Sequence, residues 1–239
     1  MMRKDRPELQ PGEDLRDLPT YTIPEAALFL GISPRTVSYW YSPGNDILSP
    51  SRRKNGASLL SFRDVAEAYV LAVLTKFYQI PLRSIHQVIA NAKRETNLPR
   101  PLIQADLKVV FASVILEKPA RGRSPREMVD LAKNRNLVFP SIVDQLGKRI
   151  LRDISNTPSR IYPWRLAEQD QESRPVSIDP EVFSGRLVVA GTRIPVTMLL
   201  GKKRAGRSVS EIAQSYGLDV DTVEKALRHI ERPILPKAA

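Results

Sequence analysis

The sequence predicts a mainly α-helical protein with short β hairpins, in which an N-terminal winged helix-turn-helix precedes a small C-terminal domain of β-hairpin and helix-turn-helix type. Three observations predict it. A capping box, a turn glycine and a second helix cap succeed one another between Thr22 and Pro34. A cationic hairpin signal, Arg52-Arg53-Lys54-Asn55-Gly56, follows shortly after. The same order of caps and glycine then recurs from Ser208 to Val223.

Residues 1–20 are polar and mixed in charge and read as a flexible arm. They lack the apolar stretch of a signal peptide. The first domain spans 21–97. Thr22 caps its first helix, Glu25 completes the box, and Pro24 sits in the first turn, where a missing N–H costs nothing. Ile23, Ala26, Ala27 and Leu30 share one helical face, and Ala27 is small where two helices would cross. Gly31 permits the positive φ that ends the helix. Ser33 caps a second helix with Pro34 at its first position. Val37 and Trp40 would face inward, leaving Arg35, Ser38 and Tyr39 outward. With Thr36, these are the early recognition-helix positions that reach base edges or phosphates in a major groove. The bland alternative is a helical hairpin that binds nothing.

Ile47 to Phe62 reads as a small hairpin turning at Asn55-Gly56. Its cations Arg52, Arg53 and Lys54 make it a wing, placed to grip a neighbouring phosphate backbone; the alternative is a solvated loop. Ser61 caps a helix from Phe62 to Phe77 that is apolar on nearly every side, so other elements or a partner chain must cover it. Pro81 opens another helix, with Leu82, Ile85, Val88, Ile89 and Ala92 at helical spacing and Arg83, Lys93 and Arg94 outward. Over about residues 20–95 this order resembles the MerR-type winged helix-turn-helix. That family usually ends in a long dimerising coiled coil, which Pro99 and Pro101 would interrupt here. A homodimer is the expected assembly.

Residues 98–152 read as a mixed α/β middle region: a strand at 109–116, a helix near 125–134 capped by Ser124, a short strand at 137–139 and a helix over 141–152. Pro158, Pro163, Pro175 and the charged run Glu168 to Arg174 mark 153–178 as a link. The last domain spans 179–232, with a tail at 233–239. Glycines bracket a β-branched run in it, a hairpin signal from Gly185 to Val196. Met198 to Arg204 reads as a helix. Its final cations Lys202, Lys203 and Arg204 suit either the negative end of the helix dipole or a nucleic acid. Beyond it, Ser208, Glu211, Ala213, Gly217, Asp219, Thr222 and Val223 repeat Thr22, Glu25, Ala27, Gly31, Ser33, Thr36 and Val37. The second helix of this copy carries Asp221 and Glu224 early, where phosphates would repel them, which favours packing or dimerisation over a second DNA reader.

Gly185, Gly191-Thr192-Arg193-Ile194-Pro195-Val196, Gly206, Ser208 and Glu211-Ile212-Ala213 are similar to a small domain linked to antitoxins of bacterial type II toxin–antitoxin pairs. With Tyr162-Pro163-Trp164 and the winged domain in front, the whole chain resembles a long VapB-type antitoxin. The resemblance implies operator DNA and a PIN-domain ribonuclease toxin as partners, and repression of the pair's own operon. Such toxins hold Mg²⁺ in a carboxylate cluster that a cation could block. The cations available are Arg232 and Lys237 in the tail, Arg3, Lys4 and Arg6 in the arm, and Arg160, Arg165 and Arg174 in the link.

The composition agrees. At 239 residues, 42% of them hydrophobic, the chain can bury a core without staples. It has no cysteine, which excludes disulfides, thiolate metal sites and cysteine nucleophiles and fits a reducing cytoplasm. A net charge of +11 attracts polyanions. No apolar run reaches the roughly 18 residues of a membrane span, so no membrane partner is expected. The two histidines, His86 and His229, lie far apart, and there is no phosphate loop, metal-ligand spacing or nucleophile elbow. No catalytic residue, metal or cofactor is expected. Three readings remain: an antitoxin, a stand-alone MerR-like regulator, and a protein-binding adaptor that leaves DNA alone.

Overall fold

A computed structural model describes residues 13–45, 47–54, 57–77, 80–96, 98–104, 146–163 and 173–231, without the side chains at 52–54, 77, 88, 91, 95 and 96. Its elements are mainly helices, with short antiparallel sheets between them.

Residues 13–20, read as part of a flexible arm, are docked. A 3-10 turn at Leu15–Asp17 is capped by the Asp14 carboxylate, which accepts from the Arg16 N–H at 2.9 Å. Arg16 pairs with Asp14 and Asp153, and Arg63 pairs with Asp14 and Asp17. Burial raises the Asp14 pKa, but hydrogen bonds from Arg16 and Arg63 outweigh it and hold the carboxyl down to about 2.

The helix-turn-helix forms as its caps dictate. Strand β1 (Tyr21–Thr22) leads into α1 (Ile23–Leu30), whose capping box pairs Thr22 with Glu25. Gly31 ends α1 at φ 63°, and Ser33 caps α2 (Pro34–Trp40) through the Thr36 N–H. Ala26, Ala27, Leu30, Val37 and Trp40 are buried between these helices and the core. The wing is a hairpin: β2 (Arg52–Lys54) pairs with β3 (Ala57–Leu60), and β3 pairs with β1, giving the order β1-β3-β2. The Asn55-Gly56 connection lies outside the described residues.

Helix α3 (Phe62–Ala72) runs on as a π-helical turn at Val73–Phe77. The cover that its apolar circumference demands comes from within the chain: α1, β3, the 3-10 turn and the later segments Pro101–Gln104 and Pro158–Ile161 all contact it. Helix α4 (Leu82–Thr96) ends before α5 (Pro101–Gln104), which folds back onto α3. Pro101 begins α5, so the chain turns here instead of prolonging a long helix.

The strands expected at 109–116 and 137–139 and the helix near 125–134 lie outside the described residues. The helix expected over 141–152 is corrected at its end. Residues 146–149 are helical, but Ile150–Arg152 form strand β4, paired with β5 (Pro158–Ile161). A tight turn closes this hairpin: the Asp153 carboxylate accepts from the Ser155 and Thr157 N–H groups, both at 2.9 Å, and Asn156 takes φ 56°. That local bonding outcompetes continuation of the helix. Of the prolines that suggest a link, Pro158 starts β5, Pro163 follows its end, and Pro175 directly precedes the next strand at Val176–Ser177. Ile161 and Ile178 exchange both backbone hydrogen bonds and are wholly buried.

Strand β6 (Val176–Ser177) pairs with β7 (Val188–Val189). The hairpin expected within 185–196 is therefore reduced to a bridge between Val188 and Pro195, because β7 takes its main partner from upstream and Pro195 has no N–H to offer. Helices α6 (Val196–Arg204), α7 (Val209–Tyr216) and α8 (Val220–Glu231) complete the chain. One buried cluster joins Tyr21 and Phe29 to Leu199, Ile212 and Leu227, so the two helix-turn-helix units share a core. At the junction Gly185 adopts φ 73°, and the Tyr21 hydroxyl occupies the space that a Cβ would need.

Candidate nucleic-acid interface

Helix α2 is divided by burial. Val37 is wholly buried and Trp40 is 2% exposed, whereas Tyr39 on the opposite side is 52% exposed. Arg35 and Ser38 are exposed beside it. Thr36 is half-buried, and its hydroxyl stands 3.0 Å from Ser33 Oγ, within the cap. Arg35, Ser38 and Tyr39 thus form one outward face, and Thr36 fixes the start of the helix beneath it.

Two ties unseen in the sequence hold the end of α2. Asn45 Nδ2 donates to the Tyr39 carbonyl and Ser42 Oγ to the Ser38 carbonyl, both at 2.7 Å. A cleft of about 450 Å³ separates this end from the wing, lined by Thr22, Ile23, Pro24, Ser38, Ser42 and Ala57–Leu59. Strand β2 sets Arg52, Arg53 and Lys54 along the far side of the wing hairpin; their side chains lie outside the described residues.

The root of the wing is braced by buried charge. Asp64 Oδ2 accepts from the Ser51 N–H at 2.8 Å, the Ser51 hydroxyl at 2.6 Å and the Ser61 N–H at 2.8 Å. Arg100, arriving from just ahead of α5, pairs with both Asp64 and Glu67 at 2.6 Å. Burial pushes the Glu67 carboxyl up to about 7, with Arg100 opposing the rise and Asp64 adding to it. The single local signal for this cluster is Asp64 in the third position after the Ser61 cap; Arg100 is too remote in sequence to be matched to it.

The second unit forms as well. Ser208 and Glu211 close a capping box, and Gly217 ends α7 in the left-handed region. The outward side of α8 carries Asp221 and Glu224, each paired one turn on, with Lys225 and Arg228. Its inner side buries Val223, Ala226, Leu227 and His229, and His229 Nε2 lies 2.8 Å from the Phe29 carbonyl at the end of α1. Helix α8 is thereby packed against the first unit.

Of the cations considered for blocking a metal cluster, Arg160 is bound to Asp179 at 2.7 Å and Arg174 lies 5.2 Å over the Tyr162 ring. Arg3, Lys4, Arg6, Arg165, Arg232 and Lys237 lie outside the described residues. Among the described residues no helix is long and apolar enough to cross a membrane.

Comparison with known proteins sets this geometry in context. Residues 21–92 match the MerR HTH family of regulatory proteins, and residues 176–229 match DUF433, a family of proteins of unknown function. The N-terminal unit is thus a MerR-type helix-turn-helix. Over 231 residues the chain is 26% identical to a Mycobacterium tuberculosis protein named "Putative antitoxin VapB45", covering 88% of this chain and 93% of that one. The crystal structure of Rv2018 from Mycobacterium tuberculosis has the same fold, with a TM-score of 0.64 at 24% identity over 87% of this chain and 96% of the other. The similarities support an antitoxin or DNA-binding regulator.

Proposed function

We propose that this chain is a non-enzymatic, VapB-type antitoxin of the cytoplasm. As a homodimer it binds operator DNA through α2 and the wing, represses its own operon, and neutralises a PIN-domain ribonuclease toxin. The observation that carries the DNA half is the outward face of α2: Tyr39 is half-exposed beside exposed Arg35 and Ser38, with no carboxylate among them. Phosphate contacts from Arg52, Arg53 and Lys54 position that face on the duplex, and base contacts from Arg35 and Tyr39 read it. The toxin half is supported by similarity along nearly the whole chain to a protein named as an antitoxin.

Selection from a randomised duplex pool tests the first half. The wild type enriches a defined site, and Arg35→Ala with Tyr39→Ala loses roughly 10-fold or more in preference for it, each good base contact being worth about 1–3 kcal/mol. An unchanged preference removes α2 from the reading role. Co-expression with the product of the adjacent gene tests the second half. A ribonuclease that co-purifies and is silenced supports it. A chain that binds duplex but captures no such partner is a stand-alone regulator instead.

A further inference from the structure

We infer that the C-terminal domain supplies a second phosphate grip on the duplex that α2 reads, through Lys202, Arg204 and Arg207 at the end of α6. The inference rests on the DNA-binding reading above and extends the interface to a domain whose matching family has no stated function.

Every residue from Gly201 to Ser208 is exposed, and the stretch contains Lys202, Lys203, Arg204 and Arg207 with no carboxylate. The backbone beneath them is fixed. Gly206, at φ 86°, reverses the chain, its N–H donates to the Lys203 carbonyl at 3.0 Å, and the Arg207 N–H returns to the Lys202 carbonyl at 3.2 Å. The helix dipole accounts for cations in the last turn of α6. It does not account for Arg207, which lies beyond the helix and is brought back beside the others. The opposing acids do not consume the patch. Lys203 pairs with Glu231, but the Arg207–Glu211 pair is 64% and 51% exposed, and so is weak and free to exchange for phosphate. Among the described residues no carboxylate pairs with Arg204.

The place of this patch decides its partner. Lys203 meets Glu231 at 2.9 Å, at the end of α8; two residues earlier His229 stands 2.8 Å from the Phe29 carbonyl, at the end of α1. The last turn of α8 thus touches the end of α6 on one side and the end of α1, just ahead of the Gly31 turn, on the other. The wing lies toward the other end of the α1–α2 pair, across the cleft lined by Thr22, Ser38 and Ser42. A helix lying in a major groove about 12 Å wide has a phosphate row on each side. The wing meets one row, and the end of α6 meets the other.

The test is the salt dependence of binding to a mixed-sequence duplex of about 30 base pairs, by titration of the full-length protein. Lys202→Gln, Arg204→Gln and Arg207→Gln are combined, with Arg83→Gln, Arg186→Gln and Arg193→Gln as an equal-charge control at exposed positions elsewhere. Three lost phosphate contacts flatten the log–log salt slope by about 2 to 3, so the affinity lost between about 50 and about 200 mM salt shrinks by roughly 15- to 60-fold. The control keeps the wild-type slope, the melting temperatures agree, and the site selected from a randomised pool is unchanged. Restoring lysine at 202, 204 and 207 restores the slope, since a point charge suffices for phosphate. A wild-type slope in the patch variant, or equal flattening in the control, overturns the inference while leaving the DNA reading intact. So does an unchanged slope with lost toxin neutralisation, which would turn the patch toward protein. A wild type that binds no duplex at low salt sinks both.

Discussion

Thr22–Glu25 and Ser208–Glu211 close the same capping box, and Gly31 and Gly217 end the two first helices at φ 63°, ψ 38° and φ 64°, ψ 36°. The Ile32 and Leu218 N–H groups return to the Ala27 and Ala213 carbonyls, each at 3.0 Å. The two units part company at their surfaces. Where the first shows Arg35, Ser38 and Tyr39, the equivalent positions of the second hold Asp221, Glu224 and Lys225, two of them acidic. A handful of capping residues suffices to build the backbone of such a unit. What the unit then meets is settled by three outward side chains, which the backbone leaves free to vary.

The core is the place where the likeness breaks with the largest effect. Trp40, 2% exposed, fills the space under α2, whereas its counterpart in the second unit is Ala226. Trp40→Ala is expected to cost about 3–5 kcal/mol through lost burial and a residual cavity. Chemical denaturation followed by circular dichroism reads it, with loss of duplex binding alongside. A cost below about 1 kcal/mol would mean that the Asn45 and Ser42 ties hold α2 without the indole.

The units differ next in what braces them. Buried Asp64 and Glu67 with Arg100 stand behind the first, at the root of its wing. The Glu67 carboxyl rises from an ordinary 4.5 to about 7 on folding. The folded protein thus holds an extra proton between these values, and stability is full below about 4.5 and declines as pH rises through about 7. Glu67→Gln should remove that decline, a change of about 1–2 kcal/mol between about pH 5 and about pH 7, measured by denaturation at each pH. A variant with the wild-type pH profile would place the titration elsewhere.

The comparison also marks what a sequence discloses. Caps and turn glycines act over three or four residues, so both helix-turn-helix units, the wing and the outward set on α2 were legible. The brace was not: Arg100 reaches Asp64 and Glu67 across more than thirty positions, and no local pattern announces an ion pair of that span. The same limit hid the His229–Phe29 contact, which joins the units and turns α8 inward. Strand β4 reads as the end of a helix, and β5 as a linker because Pro158 and Pro163 imitate one and Ile161 finds its cover at Ile178, beyond any short window. Strands of two to four residues rest on tertiary partners more than on propensity.

The turn glycines offer the finest comparison. An alanine at Gly217 would meet no heavy atom within 4 Å, so its cost is that of the left-handed backbone alone, about 1 kcal/mol. Gly31 has the same φ and ψ within a few degrees, so the backbone share of the cost of Gly31→Ala is similar. The two substitutions separate at the duplex. On the proposed reading, relaxing the strain at Gly31 reorients α2 in the groove, so the preference for a selected site falls several-fold. Relaxing it at Gly217 reorients α8, whose acidic outer face lies outside the proposed base-reading set, so the preference for that site over other sequences is kept. Equal melting losses with unequal binding losses assign DNA reading to the first unit and packing to the second. Equal losses in both measurements would mean that α8 also lies against the duplex, and that the charges at Asp221 and Glu224 do not decide the matter.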